Sequence, residues 1–113
     1  MTRTEIVATQ ITIDGVAQPT ATVGLTGGHK FLNDGAVFVE CYNSSTGSLI
    51  CTFQTPRTIH GLAVAERPVT VAAGVTRLVG PFNIEDYNQS DGMVYLDLDV
   101  AQYALQLLRV YRL

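Results

Sequence analysis

The stretch "AVFVECYNSSTGSLICTFQT", residues 36–55, decides the fold. Two runs rich in β-branched and aromatic residues flank a short polar insert, and each run alternates with period two. Successive side chains of an extended chain point to opposite faces, so Val37, Val39 and Cys41 share one face and Leu49, Cys51 and Phe53 another. The pattern predicts two strands, and "SSTG" between them reads as the four- or five-residue loop of a hairpin. On that reading the two runs are neighbours in one sheet. A four-residue loop sets Cys41 opposite Ile50, with Cys51 on the other face. A three-residue loop with a bulge sets the cysteines opposite each other, within reach of a disulfide. Buried free thiols acting as small hydrophobes are the favoured outcome, because cytoplasmic synthesis keeps thiols reduced.

Working outward, most of the chain reads as strand. "TEIVATQITI" (residues 4–13) alternates and stops at Asp14-Gly15, giving one N-terminal strand, an arm or edge strand within residues 1–14. "ATVGLTGGHKFLNDG" is broken by glycines and reads as a long connection with one short strand. "TIHGLAV" holds a short apolar piece around Gly61. "RPVTVAAG" and "TRLVGPF" read as a second strand pair separated by Ala73-Gly74. "MVYLDLDV" alternates cleanly, with Val94, Leu96 and Leu98 on one face. The final segment, residues 101–112, fits either a helical stripe or a period-two strand, and the regular strand spacing favours the strand. At 113 residues the chain is expected to be a single domain, 1–113. The expected fold class is all-β, a β-sandwich or small barrel of about seven mostly antiparallel strands.

"RLVGPFNIEDYNQSDG" (residues 77–92) interrupts this pattern. Pro81 lacks a ladder donor and must end the strand, leaving Gly80 extended before it. Phe82 is placed to fold back over the end of the interior. A single helical turn is expected next, with Ile84 and Tyr87 on its inner side. Asp91-Gly92 then restarts the chain as a turn. The stretch is thus a capping loop, and the same geometry makes Phe82, Tyr87 and Asn88 candidates for a docking loop, since rigid end-loops are where such folds bind.

Composition restricts the partners. Charged residues make up 15% of the chain and apolar residues 47%, with mean hydropathy +0.22. So low a charge points to a surface partly covered by other chains. Net charge is −3 and no basic stripe is present, which argues against nucleic acid; Arg109 and Arg112 read as strand-edge charges. No apolar run approaches the length that spans a bilayer, so neither a membrane nor a signal segment is expected. Catalytic and metal chemistry find little to work with. His29 and His60 lie in loop-like sequence without ligand spacing. Glu85, Asp86, Asp91, Asp97 and Asp99 were weighed as a calcium cluster, but they read better as a solvated face plus a turn. Neither cysteine has a neighbouring base, and "VGLTGG" lacks the lysine and helix of a phosphate loop. The expectation is a non-enzyme without cofactor or metal.

Several segments together carry a family resemblance: "GHKFLNDGAVFVECYN", "TPRTIHGLAVAERPVTVAAGVTRLVGPF", "YNQSDGMVYLDL" and the closing "LRVYRL". The chain resembles a family of small all-β virion proteins of tailed phages, encoded among head genes. The most specific parts are Gly61-Leu62-Ala63-Val64, Ala73-Gly74, Gly80-Pro81-Phe82, and Tyr87-Asn88 leading to Asp91-Gly92. Cys41, Cys51 and the Leu- and Gln-rich end segment depart from the pattern. The resemblance implies a capsid cement, or decoration, protein on the outer surface of the virion, made in the host cytoplasm. It implies a homotrimer that clamps neighbouring major capsid proteins, gripping through an N-terminal strand that includes Glu5, Val7 and Thr9. A head-fibre base or glycan-binding surface module, and a head-tail connector or tail component, are the alternatives.

Overall fold

Val37, Val39 and Cys41 are buried on one strand, and Leu49, Cys51 and Phe53 on the next, as their alternation requires. A computed structural model describes residues 3–25, 27–99 and 106–113. Its strands are β1 (Thr4–Glu5), β2 (Thr9–Gln10), β3 (Thr22–Val23), β4 (His29–Leu32), β5 (Val37–Asn43) and β6 (Leu49–Phe53). They continue with β7 (Thr58–Ile59), β8 (Leu62–Ala63), β9 (Arg67–Val71) and β10 (Thr76–Val79). After the single-turn helix α1 (Ile84–Tyr87) come β11 (Met93–Leu98) and β12 (Gln106–Arg112). The first sheet has the order β1-β4-β11-β6-β9. The second has β10-β5-β12-β2, with β3 also on β12, and β7 and β8 pair by themselves.

The expected hairpin is overturned by this order. β5 pairs with β10 and β12, whereas β6 pairs with β9 and β11. The polar insert after Asn43 therefore carries the chain from one sheet to the other. Alternation decides which side chains point inward, but it is the same whether the next strand lies alongside or across the interior. The second expected pair fails in the same way: β9 belongs to the first sheet and β10 to the second. Two arches, β5 to β6 and β9 to β10, thus stand side by side and join the sheets twice.

Asn43 explains why the chain arches here. It is fully buried, and its Nδ2 donates to Gly47 O at 2.7 Å and to Val71 O at 2.9 Å. Its Oδ1 accepts from the Ser45 amide and hydroxyl at 3.0 and 2.6 Å. Its own backbone meets the second arch, accepting from Gly74 N and donating to Val75 O. One side chain thereby satisfies the polar backbone of both corners in a place that excludes water.

Between the sheets lies one core cluster built from Phe31, Val37, Val39, Phe53, Val71, Val94, Leu96, Leu108 and their neighbours. The body is mostly β with sheets packed together. It is not a closed seven-strand barrel, because both main sheets keep free edges. The pairings are antiparallel except β1 with β4 and β2 with β12. The single expected N-terminal strand is broken in two: β1 lies on the edge of the first sheet and β2 on the edge of the second. The glycine-rich connection holds two short strands, β3 and β4. In the ambiguous C-terminal segment, residues 101–105 lie outside the described residues, and 106–112 are strand.

The cysteines face each other across the interior and are free, so neither hairpin register applies. A hydrogen bond with Cys51, together with burial, pushes the Cys41 thiol pKa far up. Both thiols should be silent to iodoacetamide in the folded protein and react once it is unfolded in urea, read by mass spectrometry; alkylation of the native state would overturn this packing. Asn43→Ala leaves the Gly47 and Val71 carbonyls without a buried donor. It should lower unfolding stability by about 2–3 kcal/mol in urea titration.

Candidate docking site

Val79 ends β10 because the next residue is pressed onto β5. A Cβ at position 80 would stand 2.8 Å from Phe38 Cβ and 2.9 Å from Val37 O, and Gly80 has φ +137°. Only glycine fits so close an approach in that conformation; the absence of a side chain is what the turn uses, while the positive φ corrects the expectation that the residue before Pro81 is extended. The Gly80–Pro81 peptide is cis. Phe82 then turns inward, its ring centroid 5.5 Å from Phe31, 4.9 Å from Phe53 and 5.3 Å from Tyr87. It is the expected plug. At 2% exposure it offers a partner nothing, so its role as a docking residue is not supported by its position.

Asn83 caps α1, its side chain accepting from Glu85 N at 2.8 Å. Ile84 was expected on the inner side of this turn but is 49% exposed and lies over Gly35. Tyr87 is half-buried edge-on to Phe82, and its hydroxyl accepts from Arg67 Nε at 2.8 Å. Asn88 is also occupied. Its Nδ2 donates to Asn33 O and Gly92 O, and its Oδ1 accepts from Asn33 Nδ2 at 2.6 Å. Buried Asn33 donates in addition to Phe82 O and accepts from Gly35 N. The loop is held shut by an asparagine pair, and of the three candidate residues Tyr87 lines an open groove.

What Tyr87 borders was not legible beforehand. An open groove of about 620 Å³ runs between α1 and the β7–β8 hairpin, with Arg57, Glu66, Arg67, Asp86 and Tyr87 among its walls. Arg57 pairs with Asp86 at 2.7 Å and Glu85 at 3.7 Å, and the Asp86 hydrogen bond raises its pKa further. Arg57 and Arg67 sit on either side of "TIHGLA", and the β7–β8 hairpin that returns the chain to β9 brings them together.

The remaining acids do not gather. Asp91 accepts from Tyr95 Oη and Met93 N, and the Tyr95 hydroxyl in particular lowers its pKa. Asp97 is raised by burial, but the Arg3 and Gln54 side chains outweigh this and leave its pKa lowered. Asp99 accepts from Ile50 N. Among the described residues no three His, Cys, Asp or Glu side chains are grouped to hold a metal ion. Arg109 is more than an edge charge: it pairs with Glu40 at 3.0 Å and donates to Pro19 O, all on half-buried ground.

The N-terminal candidates fall on one flank. Glu5 is exposed on β1, Val7 is 79% exposed in the β1–β2 connection, and Thr9 is half-buried on β2. Ile6 and Ala8 between them pack on the core. Arg3 anchors the segment. Its guanidinium pairs with Asp97 at 2.7 Å, donates to Leu96 O and lies 4.6 Å from the centre of the Tyr95 ring.

Comparison with known protein families, with curated proteins and with solved structures finds no match to this chain.

Of the two histidines, His60 is in a turn, whereas His29 is a buried strand residue, contrary to the loop position expected for it. Its Nε2 accepts from Leu25 N at 2.9 Å, and among the described residues no side-chain or backbone group is hydrogen-bonded to its Nδ1 by geometry. Burial lowers its pKa, the Thr4 backbone opposes this, and Arg3 adds to the lowering. The unfolded chain therefore takes up the proton first. The stability contribution is intact above the ordinary histidine value of 6.5 and is lost as pH falls below it toward the depressed folded value. Urea midpoints measured from pH 7 down to 5 should fall for the native chain and fall less for His29→Gln; parallel slopes would exclude His29 as the cause.

Proposed function

We propose that this chain is a structural virion protein of a tailed phage, a β-sandwich that cements the outside of the head by bridging major capsid proteins. The observation that supports this is the distribution of apolar side chains left outside the core. Val7, Leu62 and Leu78 are 79%, 73% and 66% exposed, and they lie on different parts of the body. Val7 and Leu32, the latter 61% exposed, line one apolar cavity, and contiguous exposed hydrophobes of that kind mark protein contacts. Cementing a shell needs area and many copies, with no bond chemistry. The low charge of the chain is consistent with flanks that are covered in use, and its acidic balance suits a surface away from packaged DNA.

In this role the N-terminal segment, with Glu5 and Val7 outward, grips the lattice while Arg3 holds it to the body. The groove beside Tyr87 offers a second contact. Sister copies arranged as a trimer about a local threefold axis complete the clamp.

Purified protein added to expanded, undecorated heads should bind saturably and raise the temperature at which they release DNA. Val7→Asp should weaken that binding at least about tenfold, the scale of one buried aliphatic side chain. Heads that take up no protein, or whose heat tolerance is unchanged by it, would overturn the proposal.

A further inference from the structure

The β7–β8 hairpin stands off the body with residues 56–63 all exposed. His60 and Gly61, both at positive φ, close its turn, and Ile59 and Leu62 pair directly behind them. The base is fixed: Thr55 Oγ1 donates to Val64 O and Ala65 O, and Arg57 is pinned to Asp86. Ile59 and Leu62 remain 52% and 73% exposed. A lone two-stranded hairpin is marginal in water, so an apolar pair at its tip needs a surface to rest on.

Such a surface exists on the opposite flank. A cavity of about 220 Å³ is walled by Ile6, Val7, Ala8, Leu32 and Val37, where the chain crosses from β1 to β2. The hairpin leaves the first sheet between β6 and β9, at the far side of the order β1-β4-β11-β6-β9. One chain therefore cannot fill its own cavity. We propose that the hairpin of one copy seats Ile59 and Leu62 in this cavity of the next, joining copies head to tail.

Three features favour a second copy as the occupant. The cavity is small and mostly apolar, sized for aliphatic side chains. Glu5 and Asp34 stand in its wall with Arg112, which is already paired with Asp34. Glu5 thus meets no cation within its own chain among the described residues, while the hairpin offers the ring N–H of His60 at its tip as a hydrogen-bond donor and carries no acid from Thr55 to Ala65. Finally, β1, β2 and β8 each keep an unpaired outer edge among the described strands, so backbone hydrogen bonds can form where the copies meet. Knob and hole on opposite flanks make a heterologous contact, which closes into a ring when the rotation allows. The capsid reading is not needed for any of this.

Sedimentation velocity of the full chain over a concentration series tests it. The native chain should associate, and Leu62→Asp (knob) and Leu32→Asp (hole) should each weaken association at least about tenfold. Both positions are exposed, and thermal melting verifies that each variant folds; Ile59→Asp, also on the knob, should weaken association as Leu62→Asp does and keeps the test independent of the hole variant. An equimolar mixture of the knob and hole variants retains one intact knob and one intact hole, so it should form a one-to-one dimer and nothing larger. A native chain that stays monomeric at its highest soluble concentration overturns the proposal. So do variants that associate as the native chain does, or a mixture that fails to form the dimer.

Discussion

The fold depends on a buried amide. Two of the corners that carry the chain between the sheets, β5 to β6 and β9 to β10, meet side by side, and corners are where backbone N–H and C=O groups lose their ladder partners. Asn43 sits where the two corners touch, and its side chain supplies two donors and an acceptor to Gly47, Val71 and Ser45. An aspartate there would lack the donors, and a leucine would lack everything but volume. With the corners satisfied, β5 and β6 can separate into opposite sheets and enclose Cys41 and Cys51 between them. Asn33 plays the matching part at the other end of β5, holding Phe82 O, Asn88 and Gly35. The central strand is thus bracketed by two buried asparagines, and the aromatic plug and the arches are each hung from one of them.

This arrangement sets what the outside looks like. Because β9 and β10 arch as β5 and β6 do, each main sheet ends on an open strand at that flank. The β7–β8 hairpin is extruded from the same flank. At the other flank the chain crosses from β1 to β2, leaving a cavity beneath Val7. Arches generate unequal flanks, one projecting and one recessed, where two hairpins stacked in a sandwich would give flatter ones. The groove at Tyr87 is a product of the same geometry, since the hairpin overhangs α1.

How far the sequence was legible follows from what alternation encodes. Alternation groups Val37, Val39 and Cys41 on one face, Leu49, Cys51 and Phe53 on another and Val94, Leu96 and Leu98 on a third, and all nine are buried. The Phe82 plug was legible because Gly80-Pro81 stops a strand and an aromatic follows at once. Strand pairing was not legible, because inward alternation is identical for a hairpin and an arch. The signal that distinguishes them is Asn43, whose polarity at the end of an apolar run looked like ordinary turn chemistry. The asparagine pair Asn33 and Asn88 was hidden for a different reason: residues 55 apart in sequence carry no local sign of their contact. The groove residues Arg57 and Arg67 shared that fate, being joined only by the path of the chain.

Polar groups on this protein are largely spent on one another: Arg3 on Asp97, Arg57 on Asp86, Arg109 on Glu40, Asp91 on Tyr95. A surface whose charges are paired internally has little electrostatic reach, so recognition falls to shape and apolar area. That area includes Val7 and Leu32 beside the β1–β2 crossing, Leu62 on the β7–β8 hairpin, Leu78 on β10 and Ile13 after β2. The buried amide at Asn43 governs the outside as well as the inside, because the arches it satisfies decide where those recesses and projections stand.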